Sequence, residues 1–126
     1  MSTWIEVCHI DDLQADSGVC ALVKGKQVAI FYLPRRDAVY AIGNFDPFSG
    51  ANVLSRGMIG DIGGEPMVAS PMYKQHFHLR TGVCFEDANV SVPAYPVRLE
   101  NGRVAVLPAP LSSQQKSPSL AVCEME

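Results

Sequence analysis

A chain of 126 residues, 48% hydrophobic and 18% charged, has ordinary globular composition and length enough for one domain with its own core. Its formal charge of −3, with Arg35-Arg36 as the longest basic run, excludes the clustered basic patch that a grip on nucleic acid requires. No apolar stretch approaches the ~20 residues of a membrane helix, and Met1-Ser2-Thr3-Trp4-Ile5-Glu6 has no basic segment leading into an apolar one, so a cytoplasmic location is expected.

In chain order, Trp4-Ile5-Glu6-Val7 reads as a first strand and Ile10 to Leu13 as a single helical turn, its acids suited to a helix start. Val19 to Val23 and Gln27 to Leu33 read as strands joined at Lys24-Gly25-Lys26. Pro34 to Asp37 is a turn, and Ala38 to Ile42 is the next strand. Residues 43–84 are rich in Gly and Pro, yet Glu65 to Ala69 and Gln75 to Leu79 read as short strands. A long irregular connection with ordered pieces predicts a folded subdomain. Tyr95 to Glu100 and Arg103 to Leu107 flank Asn101-Gly102, the preferred pair for a two-residue type I′ hairpin. That turn sets Leu99 against Val104, Val97 against Val106 and Glu100 against Arg103. Four apolar side chains then share one side. From Ala109 onward the chain lacks period and bulk and is expected to be a disordered tail. Strands and turns at this spacing predict an all-β sandwich or small barrel over residues 1–108, with the subdomain at about 43–84.

The bland reading suffices for most chemistry-bearing residues. Cys8, Cys20, Cys84 and Cys123 have no metal-ligand spacing, and scattered thiols in a reducing compartment are structural. His76 and His78 share one face of a short strand but lack a third ligand. Asp46, Asp61 and Glu65 read as loop acids rather than a general acid–base pair. His9 beside Cys8 has no orienting acid in a motif. Residues 57–64 are glycine-rich without the Lys-Ser/Thr of a phosphate loop, and read as turns. No catalytic, cofactor-binding or metal-binding residue is assigned.

Two stretches carry a resemblance. Asn44-Phe45-Asp46-Pro47 and the run from Val68 to Gly82 resemble the two loops of a Rieske iron–sulfur domain, which supply C-x-H and C-P-x-H to a two-iron cluster. The Pro, the Phe and the Thr-Gly turn of the second loop are kept, and 23 residues, 47–69, separate the loops. The ligand positions hold Asn44, Asp46, Ser70 and Tyr73 instead. These are neutral or hard oxygen donors, where bridging-sulfide iron needs thiolate and imidazole.

One branch of that family lacks the ligands. Ile42-Gly43-Asn44-Phe45-Asp46-Pro47-Phe48, Val53-Leu54-Ser55-Arg56-Gly57 and Ala69-Ser70-Pro71-Met72-Tyr73-Lys74-Gln75 resemble the small subunits of assimilatory NAD(P)H-dependent nitrite reductases, over nearly all of residues 3–107. The resemblance implies a Rieske-like β fold and no cofactor on this chain. It implies a large partner subunit that carries flavin, siroheme and a four-iron cluster and reduces nitrite to ammonium in nitrate assimilation. The small subunit would be a non-catalytic accessory. A stand-alone Rieske-like binding module is the competing reading, and an unusual ferredoxin-type electron carrier the third. Asn44, Asp46, Ser70 and Tyr73 are the expected contact with the partner. Their hydrogen bonds, with packing of Phe45, Phe48, Pro71 and Met72, are expected to hold the two loops together. Asp46→Ala with Tyr73→Ala is expected to weaken association without unfolding the domain.

Overall fold

The computed structural model describes residues 4–72 and 74–108. The expected tail from Ala109 onward, and Tyr73, lie outside the described residues. The chain opens with β1 (Ile5–His9), a 3₁₀ turn (Ile10–Asp12), β2 (Ser17–Val23), β3 (Lys26–Leu33), a second 3₁₀ turn (Pro34–Arg36) and β4 (Ala38–Gly43). It continues through β5 (Phe45–Asp46), β6 (Ala51–Asn52), a third 3₁₀ turn (Leu54–Arg56), β7 (Met58–Ile62), β8 (Glu65–Ala69) and β9 (His76–His78). It closes with β10 (Ala94–Tyr95), β11 (Val97–Glu100) and β12 (Arg103–Val106). No helix among the described residues is long and apolar enough to cross a membrane.

A central antiparallel sheet in the order β10-β4-β3-β2 lies between two others. Strand β3 shows why. Side chains alternate across a strand, and Val28, Ala29, Ile30 and Phe31 are all fully buried. Val28 and Ile30 enter one core with Ala41, Tyr95, Val104 and Val106, beneath the sheet β1-β12-β11. Ala29 and Phe31 enter the other, with Leu54, Val68, Phe77 and Leu79 of the 43–84 region. An unbroken apolar run is the signature of a strand covered on both faces. The all-β sandwich expected from the sequence is the observed architecture.

Turn chemistry sets both outer hairpins. Lys24 and Gly25 have φ 51° and 80°, and Asn101 and Gly102 have φ 53° and 79°. Two successive left-handed residues make the turn whose twist matches paired strands. Val23 therefore pairs with Lys26, one residue tighter than expected. The second hairpin has the expected register, Leu99 opposite Val104 and Glu100 opposite Arg103. Leu99, Val104, Val97 and Val106 therefore share one side as expected, with Leu99 exposed because β11 lies at the sheet edge. One side-chain expectation there fails. Arg103 turns to Glu6, at 3.4 Å, and Glu100 lies 3.7 Å from Arg98.

Two strand boundaries also differ. The expected strand from Tyr95 to Glu100 is divided at Pro96, which has no N–H to give to a ladder. β10 pairs with β4, and β11 pairs with β12 in the other sheet. The glycine-rich segment 57–64 is not a string of turns. Met58 to Ile62 forms β7, paired residue for residue with β8, and only Gly63 and Gly64 turn, at φ 59° and 87°. A side chain on Gly57 would overlap the carbonyl oxygen of Ala69, so glycine there permits the close approach of two backbones.

Candidate functional site

The two loops meet at the end of the molecule where β3 begins. Asn44 directly follows β4, and its N–H donates to the Gln27 carbonyl at 3.1 Å. Its side chain is 2% exposed. Nδ2 donates to Gln27 Oε1 (3.1 Å), to the Asn52 carbonyl (3.2 Å) and weakly to Cys20 Sγ (3.6 Å), while Oδ1 accepts from Ser55 N–H (2.7 Å). One amide thus ties β2, β3, β6 and the Leu54–Arg56 turn together.

Asp46 is fully buried. Oδ1 accepts from Phe48 N–H at 2.9 Å, a local turn of the kind Asp favours, and Oδ2 accepts from Ser70 Oγ at 2.5 Å. Ser70, 1% exposed, also accepts from Met72 N–H at 3.2 Å. Its own N–H donates to the Gln75 carbonyl at 2.9 Å, which closes the second loop. The Asp46–Ser70 bond is therefore a side-chain latch between the loops, made in a dry interior where such a bond is strong and its loss expensive. The expected hydrogen bonding between the loops is observed for Asp46 and Ser70, whereas Asn44 bonds to Gln27, Asn52, Cys20 and Ser55, none of them in the second loop.

The expected apolar packing is observed only for Phe48, whose ring lies 6.1 Å from that of Phe77 at 51°. Phe45 and Met72 are 49% and 54% exposed, and Pro71 is exposed as well. Alternation explains this: with Asp46 turned inward on β5, Phe45 must point out. It also corrects the expected use of Asp46→Ala as a pure interface probe. Asp46 is interior, so its loss must first disturb the fold.

The remaining chemistry-bearing residues are engaged one by one. Arg36 Nη2 binds Asp61 at 3.0 Å and the Gly64 carbonyl at 2.5 Å. Arg80 binds Glu65 at 2.8 Å. His9 accepts from Asp11 N–H at 3.1 Å, and Asp12 accepts from His9 N–H at 2.9 Å, so the pair caps the Ile10–Asp12 turn. His78 stacks on Phe85 with ring centres 3.7 Å apart, and burial pushes its imidazole pKa down. No group of three His, Cys, Asp or Glu residues suited to a metal ion occurs among the described residues.

His76 and Glu86 form a clasp that the sequence reading missed. Glu86 accepts from His76 N–H at 2.8 Å and from its Nδ1 at 2.5 Å, and Cys84 Sγ donates to it at 3.5 Å. Burial alone would raise the Glu86 carboxyl. The His76 and Cys84 hydrogen bonds outweigh it and hold the pKa below its ordinary 4.5. A carboxyl depressed by folding contributes stability that is present above its unfolded value and lost as pH falls through the folded one. The stability difference between the parent chain and Glu86→Gln, measured by thermal melting at pH 6, should shrink as pH drops below about 4.5 and vanish in stronger acid. A difference unchanged at pH 3 would show that the carboxylate charge does not matter.

The loop positions do not fit a two-iron cluster, which takes thiolates and imidazoles. Asn44 and Asp46 present only amide and carboxylate groups and Ser70 a hydroxyl, each committed to partners within the chain. Cys20 beside Asn44 is the one thiol in this network, and no imidazole joins it.

The pattern of the Rieske-like [2Fe-2S] domain matches residues 3–107. The nitrite reductase (NADH) small subunit of Salmonella typhimurium is 51% identical over 104 residues, which cover 82% of this chain and 96% of that one. The solved Escherichia coli protein NirD superposes with a TM-score of 0.78 at 48% identity, covering 84% of this chain and 96% of the other. A nitrite reductase [NAD(P)H] large subunit of Klebsiella oxytoca is 45% identical over 103 residues, 82% of this chain but only 11% of that protein.

Proposed function

Since the chain belongs to the Rieske-like [2Fe-2S] domain family, and within it to the nitrite reductase small subunits, we propose that it is a cluster-free accessory subunit of a cytoplasmic NAD(P)H nitrite reductase serving nitrate assimilation. Its partner is the large subunit, which carries the flavin, siroheme and four-iron cluster and reduces nitrite to ammonium. The carrying observation is the buried network at the loops. Asp46 and Ser70 use the space of cluster ligands for a bond to each other. A domain whose former ligands are locked in this way supports a partner by binding and shaping it rather than by relaying electrons. The Klebsiella oxytoca large subunit supports the pairing, because a segment like this chain forms part of that protein. The contact lies at the joined loops, where Phe45, Pro71 and Met72 face outward over the latch.

Two measurements on purified protein test this. The isolated chain should be colourless and hold no stoichiometric iron or acid-labile sulfide; about two irons per chain would mark a working cluster and an electron carrier. A tagged chain expressed in its native host should retain a large subunit with flavin and siroheme absorption. Failure to retain it would favour a stand-alone binding module.

A further inference from the structure

The sheet β7-β8-β9 has one open side. It is not β9, where His78 N–H donates to the Val83 carbonyl and Phe85 N–H to the His76 carbonyl, which carries the ladder onward. β7 is the other outer strand. Its two-residue turn at Gly63-Gly64 closes on Ile62 and Glu65. Antiparallel pairs alternate between bonded and unbonded positions. Ile62, Gly60 and Met58 therefore bond to β8, and Ile59 and Asp61 aim their N–H and C=O groups away from it. The facing strand agrees: the Pro66 carbonyl, across from Asp61, accepts from Leu79 N–H on the β9 side. Among the described residues the backbone groups of Ile59 and Asp61 have no partner.

A row of unpaired groups is a template for another strand, and folded chains blunt it by shortness, bulges, charge or cover. The other outer strands here do so. β1 breaks register between Glu6 and Cys8, and β2 has the Ser55 carbonyl against Gly18. β5, β6 and β10 are two residues long, and β11 alternates Val97 and Leu99 with Arg98 and Glu100. β7 is five residues long and regularly paired, and its one charge, Asp61, is ion-paired to Arg36 at 3.0 Å. Its outer face shows Met58, 74% exposed, and Ile62, 38% exposed.

This strand also complements itself. When two copies pair antiparallel about Gly60, Ile59 of each falls opposite Asp61 of the other, and the open N–H and carbonyl groups of both edges pair off completely. Gly60 meets Gly60 at an unbonded position, where Cα atoms approach to ~4.5 Å. Met58 meets Ile62 on the outer face, twice by symmetry, and Met67, which lies over Gly60, fills the space between the two pairs. Asp61 faces Ile59, so no like charges oppose. Such a contact of one patch with itself is what a two-fold dimer requires. A pairing this short buries less than the ~1,200 Å² of a standard interface, so the dimer assembles with concentration instead of being permanent.

We propose that β7 is a homodimerisation edge, which joins the β7-β8-β9 sheets of two copies of this chain into one continuous sheet. Nothing in this pairing depends on which enzyme the subunit serves.

Sedimentation velocity on the full chain, from micromolar to millimolar concentration, should show monomer giving way to dimer. Amide exchange at Ile59 and Asp61 should slow tenfold or more as the dimer forms. Met58→Lys with Ile62→Lys in one chain, and Met58→Glu with Ile62→Glu in another, should each weaken self-association tenfold or more, because like charges then meet across the axis. Mixing these two variants should restore the dimer, which misfolded chains could not do. Leu99→Lys, on β11, should leave it unchanged. A parent chain that stays monomeric at millimolar concentration would overturn the proposal. So would a dimer untouched by the paired charges, or a mixture that restores nothing while both variants keep the circular dichroism of the parent. A dimer that appears only on truncation after Pro108 would make residues 109–126 the occupant of this edge, and slowed exchange at Ile59 and Asp61 only with the large subunit present would make it a strand of that partner. Either result overturns self-pairing.

Discussion

Phe77→Ala should lower stability by about 3–5 kcal/mol, the range for emptying a buried aromatic site. Phe77 is fully buried on β9, paired with Val68 on one side and bridged to Cys84 on the other. It packs with Phe31 of the central sheet, Leu54 of the third 3₁₀ turn and Leu79 of its own segment. Few of these neighbours can close the void, because Val68 and Cys84 are held by backbone pairing and Leu54 by the Asn44 network. The loss corresponds to a fall in melting temperature of more than ~10 °C for a domain of this size. Urea unfolding followed by Trp4 fluorescence or circular dichroism would measure it. Leu99→Ala, on the exposed edge strand, should cost less than ~0.5 kcal/mol in the same assay. A Phe77→Ala loss under 1 kcal/mol would mean that the subdomain is not fastened to the central sheet through this ring.

The contrast between Phe77 and its surroundings shows what the chain discloses by itself. Asn101-Gly102 was legible because two left-handed residues in succession leave few alternatives, and the register followed from the turn. The run Val28 to Phe31 was legible as a strand, though its service to two cores appears only when both covering layers are in place. β7 was not legible. Gly57 before it and Gly60 within it erase the alternation that marks a strand, and the reason for Gly57, its approach to Ala69, lies 12 residues away. At the site, Asp46 and Ser70 were found through the resemblance of their positions to cluster ligands. Cys20, Gln27 and Asn52, which complete the Asn44 network, were not. They come from three strands and meet only through sheet register, which composition and spacing do not encode. The His76–Glu86 clasp was missed for the same reason, since strand alternation places His76 but says nothing of which acid arrives beside it.

Asp46→Ala should destabilise the chain by about 2–5 kcal/mol although it removes only a small side chain. The substitution takes away both acceptors that Phe48 N–H and Ser70 Oγ use. A buried donor left without a partner costs roughly 1–3 kcal/mol, and the interior position of Asp46 keeps water from standing in. Ser70→Ala should cost about 1–3 kcal/mol by leaving Asp46 Oδ2 without its donor. The two losses share one bond, so the double variant should be less destabilised than their sum by about 1–2 kcal/mol. Two chevrons and a thermal melt for each variant would complete the cycle. Losses that add without coupling would show that the loops are held by something other than this bond. The cycle also bears on docking, because a latch that fails frees Phe45 on one loop and Met72 on the other to part. Partner association by Ser70→Ala should therefore weaken even at temperatures where the domain stays folded. If instead Ser70→Ala binds as the parent does while losing stability, the latch holds the fold, and the interface draws its order from elsewhere.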